Sequence, residues 1–135
     1  MTDRRDFLKT SAATAALLAL GTAGTTRAGE QPAFSGIVYT RANPGQWAKK
    51  VASHAPQVTI DKGRVTIVTR HPMSAAHYIV RHTLVLADGT VVGGTTFSPA
   101  DRPESTYTLP AGYSGRLYAT SFCNRHDFWL TETSV

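Results

Sequence analysis

The sequence predicts an all-β fold, an immunoglobulin-like antiparallel β-sandwich of about seven strands. From Gln57 onward the chain reads as short runs rich in Val, Ile, Thr and Tyr, broken by turn residues, and such runs suit a pleated, half-buried surface. Seven runs at this spacing match a sandwich. Only one stretch, Asn43 to Ser53, can hold a helical turn or two, and it ends just before "HAP".

Taken from the start, "TDRRDFLKTSAATAALLALGTAGTTRA" has a basic beginning, a mildly apolar run and then small residues. This is the pattern of a signal peptide, residues 1–28 with cleavage after Ala28, and it is too short and too rich in Ala and Thr to span a membrane for good. Arg4-Arg5 followed by Phe7-Leu8-Lys9 fits the twin-arginine pattern, whose translocation machinery carries folded proteins. The expected location is periplasmic or otherwise extracytoplasmic.

Residues 29–47 are predicted as an N-terminal arm, loose up to about Gly36, and residues 48–135 as the sandwich domain. Its runs are "QVTIDKG", "RVTIVTR", "HYIVRHTLVLADG", "TVVGGTTFSP", "STYTLPAG", "GRLYATSF" and "DFWLTETSV". Asp88-Gly89 is a hairpin signal, because both residues tolerate positive φ. Pro99, Pro103 and Pro110 mark loops.

The chain has 14 basic and 9 acidic residues, and the leader holds four of the first and two of the second, which leaves +3 after cleavage. A charge this small does not argue for nucleic acid. The single cysteine, Cys123, cannot form an intramolecular disulfide; it is a buried apolar residue, an intermolecular cross-link, a reactive thiol or a metal ligand.

The five histidines narrow this. His54 and His71 stand next to prolines ("HAP", "HPM"), which hold the backbone extended and place them at the ends of elements. His77 opens the strand "HYIVRHTLVL", and His82, five residues on, points to the opposite face, so it is excluded from any cluster with His77 unless a bulge intervenes. Cys123 and His126 flank an Asn124-Arg125 turn. Four imidazoles and a thiolate are wrong for four-coordinate structural zinc and for blue copper, and suit five-coordinate iron with a sixth position open.

"HAP", "HPMSAAHYI", "LADGT", "FSPADRP" and "CNRHDFW" together resemble the catalytic iron domain of the superoxide reductases, the desulfoferrodoxin and neelaredoxin family, from about His54 to Trp129. The resemblance implies one iron per chain, with His54, His71, His77 and His126 in a plane and Cys123 as the axial ligand. It also implies one-electron reduction of superoxide to hydrogen peroxide, an unidentified electron donor and a possible homo-oligomer.

The family's Glu-Lys pair before the first histidine is replaced by Ala52-Ser53. Lys49, Lys50 or Arg125 is then expected to supply positive charge, and a non-enzymatic metal-binding or electron-transfer role is the alternative. Copper or zinc competes for such a site after export.

Overall fold

A computed structural model of the chain describes residues 34–135; the predicted signal peptide and the first part of the predicted arm lie outside the described residues. Among the described residues eight strands form: β1 (Val38–Tyr39), β2 (Gln57–Asp61), β3 (Arg64–Val68), β4 (Ile79–Leu86), β5 (Val91–Thr96), β6 (Glu104–Thr108), β7 (Arg116–Cys123) and β8 (Asp127–Ser134). They make a five-stranded sheet, β1-β8-β7-β4-β5, and a three-stranded sheet, β2-β3-β6. The seven predicted runs become β2 to β8, one for one.

The eighth strand, β1, was not expected. It lies within the segment predicted as an arm, and it pairs parallel with β8, Tyr39 opposite Trp129, whereas every other pair is antiparallel. Two residues are too few to show a period of 2. Tyr39 is held by burial instead: its ring lies 5.7 Å from that of Trp129, in a cluster with Ala55, Trp47 and Val51. Packing therefore begins ahead of residue 48.

Alternation places the core. On β7 the residues Leu117, Ala119, Ser121 and Cys123 point inward, and Val65 and Ile67 of β3 meet Leu84 and Leu86 of β4 between the sheets. Each large apolar side chain buried there contributes about 1.5–3 kcal/mol.

The turns divide differently from expectation. Lys62 and Gly63 both have positive φ and join Asp61 to Arg64 as a two-residue type I′ hairpin. At Asp88-Gly89 only the glycine is left-handed, with φ 88°. The Gly89 amide donates to the Leu86 carbonyl and the Leu86 amide to the Thr90 carbonyl, so the loop has three residues. The Asp88 carboxylate accepts from the Thr90 amide at 2.9 Å, which favours this arrangement over the two-residue turn.

Gly93 on β5 lets Tyr107 of β6 lie against the backbone: a Cβ added there would stand 2.6 Å from a ring carbon, and the Tyr107 hydroxyl is bonded to Thr95 at 2.8 Å. Gly93→Ala is expected to lower stability by about 1–3 kcal/mol, because the ring must shift. Urea unfolding checks this, and an unchanged midpoint would show that the ring is not held there.

The predicted helical stretch forms a 3₁₀ segment, Gly45–Lys50, and a short helix α1, Val51–His54. Ala55 precedes Pro56 and is extended, φ −67° and ψ 120°, so α1 stops at His54. Among the described residues no helix is long and apolar enough to cross a membrane.

Candidate metal centre

Five side chains from separate segments meet at one end of the sandwich. His54 ends α1 and is 1% exposed. Its Nδ1 lies 2.8 Å from Ser53 Oγ, which donates to the Lys50 carbonyl at 3.2 Å. With the Nδ1 proton given to Ser53, the Nε2 lone pair is free to face the cluster. His71 follows β3, and its amide donates to the Thr69 carbonyl at 2.8 Å. His77 closes a tight turn: Ser74 and His77 exchange both backbone bonds, at 3.0 and 3.1 Å, and the Ser74 hydroxyl donates to the His77 carbonyl.

Cys123 ends β7 opposite Asp127, and Asn124 to His126 form the loop between them. Asn124 clamps this loop to the His77 turn. Its Oδ1 accepts from the Tyr78 amide at 3.0 Å, its Nδ2 donates to the Ala76 carbonyl at 3.2 Å and its own amide donates to the Tyr78 carbonyl. The Trp129 indole N–H donates to the His126 carbonyl at 3.1 Å, and the Trp47 ring stands edge-on to the His126 ring at 4.5 Å.

One donor atom from each of the five residues lies within 4.8 Å of all the others. Neighbouring rings run in a closed cycle, His54 to His71 to His77 to His126 and back, with centroids 4.4–4.7 Å apart. His54 and His77 face each other across it at 5.9 Å. His126 Nδ1 is 2.9 Å from His54 Nε2, 3.0 Å from His77 Nε2 and 3.5 Å from Cys123 Sγ.

One ring nitrogen carries at most one proton and cannot satisfy three such neighbours by hydrogen bonding. A cation shared by all five donors can. The residues present therefore fit a metal ion, and the donor set is compatible with iron.

The electrostatics point the same way. Burial, reinforced by the neighbouring imidazoles, lowers the pKa of His54 to about 3 and that of His71 to about 4. His77 and His126 are lowered too, first by burial; Arg125 and Lys50 then act on His77, and His77, Lys50 and Arg125 on His126. Neutral imidazole is the ligand form. Burial raises the Cys123 thiol, so a bound cation must displace its proton.

His82, outside the cluster as expected, is buried in the core, but the reason differs from the one given by strand parity. His77 precedes β4, which begins at Ile79, and the β4–β7 register shifts between Ile79 and Arg81. Counting residues along the strand therefore does not relate the two. Met73 accepts the Ile79 amide through sulfur and is not among the converging donors.

Lys49 is exposed and Lys50 half-buried. Sequence spacing points to no function for three neighbours: Asn124 reads as a turn residue, and Ser53 and Trp47 fall in no motif. Only Asn124 had a signal, its place inside the Cys-Asn-x-His run.

Acid should destabilise the metal-free protein. The pKa of His82 falls from 6.5 to about 4 through burial, so between these values the unfolded chain binds a proton that the folded one refuses. Stability is full above pH 6.5 and falls as the pH drops towards 4 by roughly 3 kcal/mol from this residue alone. Thermal melts of metal-free wild type and His82→Asn across this range check it: the wild type is expected to show the steeper slope, and equal slopes would refute it.

A β-sandwich that brings four imidazoles and a thiol to one point has the donor set of a protein that could hold a metal ion. The desulfoferrodoxin sequence profile matches residues 46–132, and the chain belongs to that family. The profile of the twin-arginine translocation signal matches residues 1–21, which implies export through that machinery.

Among solved structures, the neelaredoxin superoxide reductase of Ignicoccus hospitalis is 27% identical, with a TM-score of 0.65 over 76% of this chain and 96% of that one. A single-site variant of it gives 27%, 0.67, 78% and 98%. The superoxide reductase of Treponema pallidum is 26% identical, with a TM-score of 0.53 over 62% of this chain and 69% of that one. No curated protein sequence matches the chain.

Proposed function

We propose that the protein is an exported mononuclear non-haem iron protein that reduces superoxide to hydrogen peroxide. His54, His71, His77, His126 and Cys123 would hold one iron per chain and leave a sixth position for substrate. Residues 1–28 would serve as the leader, and the protein would act in the periplasm or another extracytoplasmic space. The observation that carries this reading is the convergence of five donor atoms within 4.8 Å in a chain of the desulfoferrodoxin family.

Iron in that site would supply one electron, which with two protons turns superoxide into hydrogen peroxide, and an external donor would restore the ferrous state. The chain supplies the surroundings. Cys123 is fully buried, whereas His77 and His126 are partly exposed, so an anion arrives from their side. Lys50 and Arg125, rather than Lys49, are the cations whose charge bears on those two rings. They favour an approaching anion, and the more so where water is excluded.

The test uses protein matured by the twin-arginine route. One iron per chain is expected, with superoxide consumed faster than by the same concentration of free ferrous ion. A rate no greater than that of the free ion would sink the reading. A second reading, a metal-binding or electron-transfer protein without turnover, is favoured by the uncharged Ala52 and by Ser53, whose hydroxyl is engaged with His54. Tight iron binding without superoxide consumption would select it.

A further inference from the structure

Behind the cluster lies a polar group that the proposed reaction does not use. His82 Nε2 is 2.9 Å from Thr69 Oγ1, His82 Nδ1 is 2.9 Å from Ser105 Oγ, and Thr69 Oγ1 is 2.8 Å from Ser121 Oγ. All four residues are at most 7% exposed. They come from β4, from β6, from β7 and from the segment just past β3, so the chain of bonds joins both sheets.

An aliphatic residue at position 82 would continue the Leu84 and Leu86 face of β4. Imidazole is tolerated there because both its nitrogens are bonded, and such a network fixes one geometry more sharply than apolar packing does.

Thr69 is the knot of this network. Its amide donates to the Pro103 carbonyl at 3.0 Å, its carbonyl accepts the His71 amide, and its hydroxyl meets both His82 and Ser121. Thr69 stands two residues before His71, and Ser121 two before Cys123 on the same inward face of β7. The Thr69–Ser121 pair therefore sits one step inward from the His71–Cys123 pair, whose Nε2 and Sγ are 4.0 Å apart.

A second contact runs in parallel. The His82 ring meets the Phe97 ring edge-on at 4.9 Å, and Phe97 packs with Ile79 and Cys123.

We propose that His82 is a positioning residue for the metal centre: through Thr69 and Ser121, and through Phe97, it sets the separation between His71 and Cys123. This rests on the reading of those two residues as ligands. Neutral His82 gives one proton and takes one, so the hydroxyls order in a single direction along the chain. Thr69 then holds one rotamer, and the backbone that carries His71 is fixed against β7.

The experiment compares iron-loaded wild type with His82→Leu, His82→Asn and His82→Gln, each first shown to be folded by circular dichroism. A glutamine amide reaches where Nε2 lies, towards Thr69, and an asparagine amide where Nδ1 lies, towards Ser105. The Leu and Asn variants are expected to shift the thiolate-to-ferric absorption band and the midpoint potential, with iron affinity falling roughly tenfold or more. His82→Gln is expected to keep both near the wild-type values.

Should His82→Leu not fold, Thr69→Val and Ser121→Ala break the same link with smaller changes and are expected to give the same shift. Folded variants with an unmoved band and potential would overturn the proposal alone. A wild type with no such band would overturn the metal-centre reading and this proposal with it.

Discussion

Cys123→Ser is expected to lose the visible thiolate-to-ferric absorption and to bind iron about a hundredfold more weakly. A four-ligand structural metal site is worth about 10–16 kcal/mol, so one ligand carries on the order of 3 kcal/mol, or a factor of roughly a hundred. Serine preserves the size of the side chain while removing the sulfur, and Cys123 is fully buried, so the loss reports on bonding rather than on access. Iron titration of both proteins, followed by their oxidised spectra, decides it. A band that survives the substitution would show that it does not arise from a thiolate, since the chain has no other cysteine. His77→Ala, which removes one corner of the ring of imidazoles, is expected to abolish superoxide consumption for the same reason.

Trp129→Ala is expected to lower the unfolding free energy by about 3–5 kcal/mol, since it leaves a void where the largest fully buried side chain stood. For a domain of this size the melting temperature falls by roughly 12 °C or more. The substitution also frees the His126 carbonyl and removes the support of Tyr39, so the candidate centre loosens along with the core. Trp129→Phe retains most of the volume and loses less: the indole N–H bond, worth about 1 kcal/mol, and the packing of a smaller void. Thermal unfolding of the three proteins tests the ranking; a Trp129→Ala protein as stable as the wild type would contradict the packing described for this end of the sandwich.

The seven long runs were legible because a strand with one buried face writes a period of 2 into the sequence, as Leu117, Ala119, Ser121 and Cys123 do on β7. Strand β1 wrote none. Its place is set by one large ring, Tyr39, whose partner Trp129 is distant in sequence. The two hairpins show another limit: glycine identifies a turn, but the type depends on the side chain beside it, and Asp88 takes the Thr90 amide while Lys62 adopts positive φ.

At the candidate centre, residue chemistry and proline neighbours pointed to His54, His71, His77, Cys123 and His126. The parts that hold them in place were not visible, because Asn124, Ser53 and Trp47 act through contacts that no spacing rule encodes. His82 shows the same gap from the other side. Strand parity set it apart from His77 for a reason that the turn before β4 makes irrelevant, and nothing along the chain pairs it with Thr69 and Ser105.

His54 and His126 touch across 72 positions of sequence, and His71 and Cys123 across 52. An ion shared by them would act as a cross-link in a chain whose one cysteine cannot form an internal disulfide. Closing a loop that long removes enough freedom from the unfolded chain to favour the folded one by about 4 kcal/mol on the chain-entropy estimate. Loss of the ion would then remove a staple as well as a bound group, and an emptied molecule would open more often and be cut sooner by an added protease.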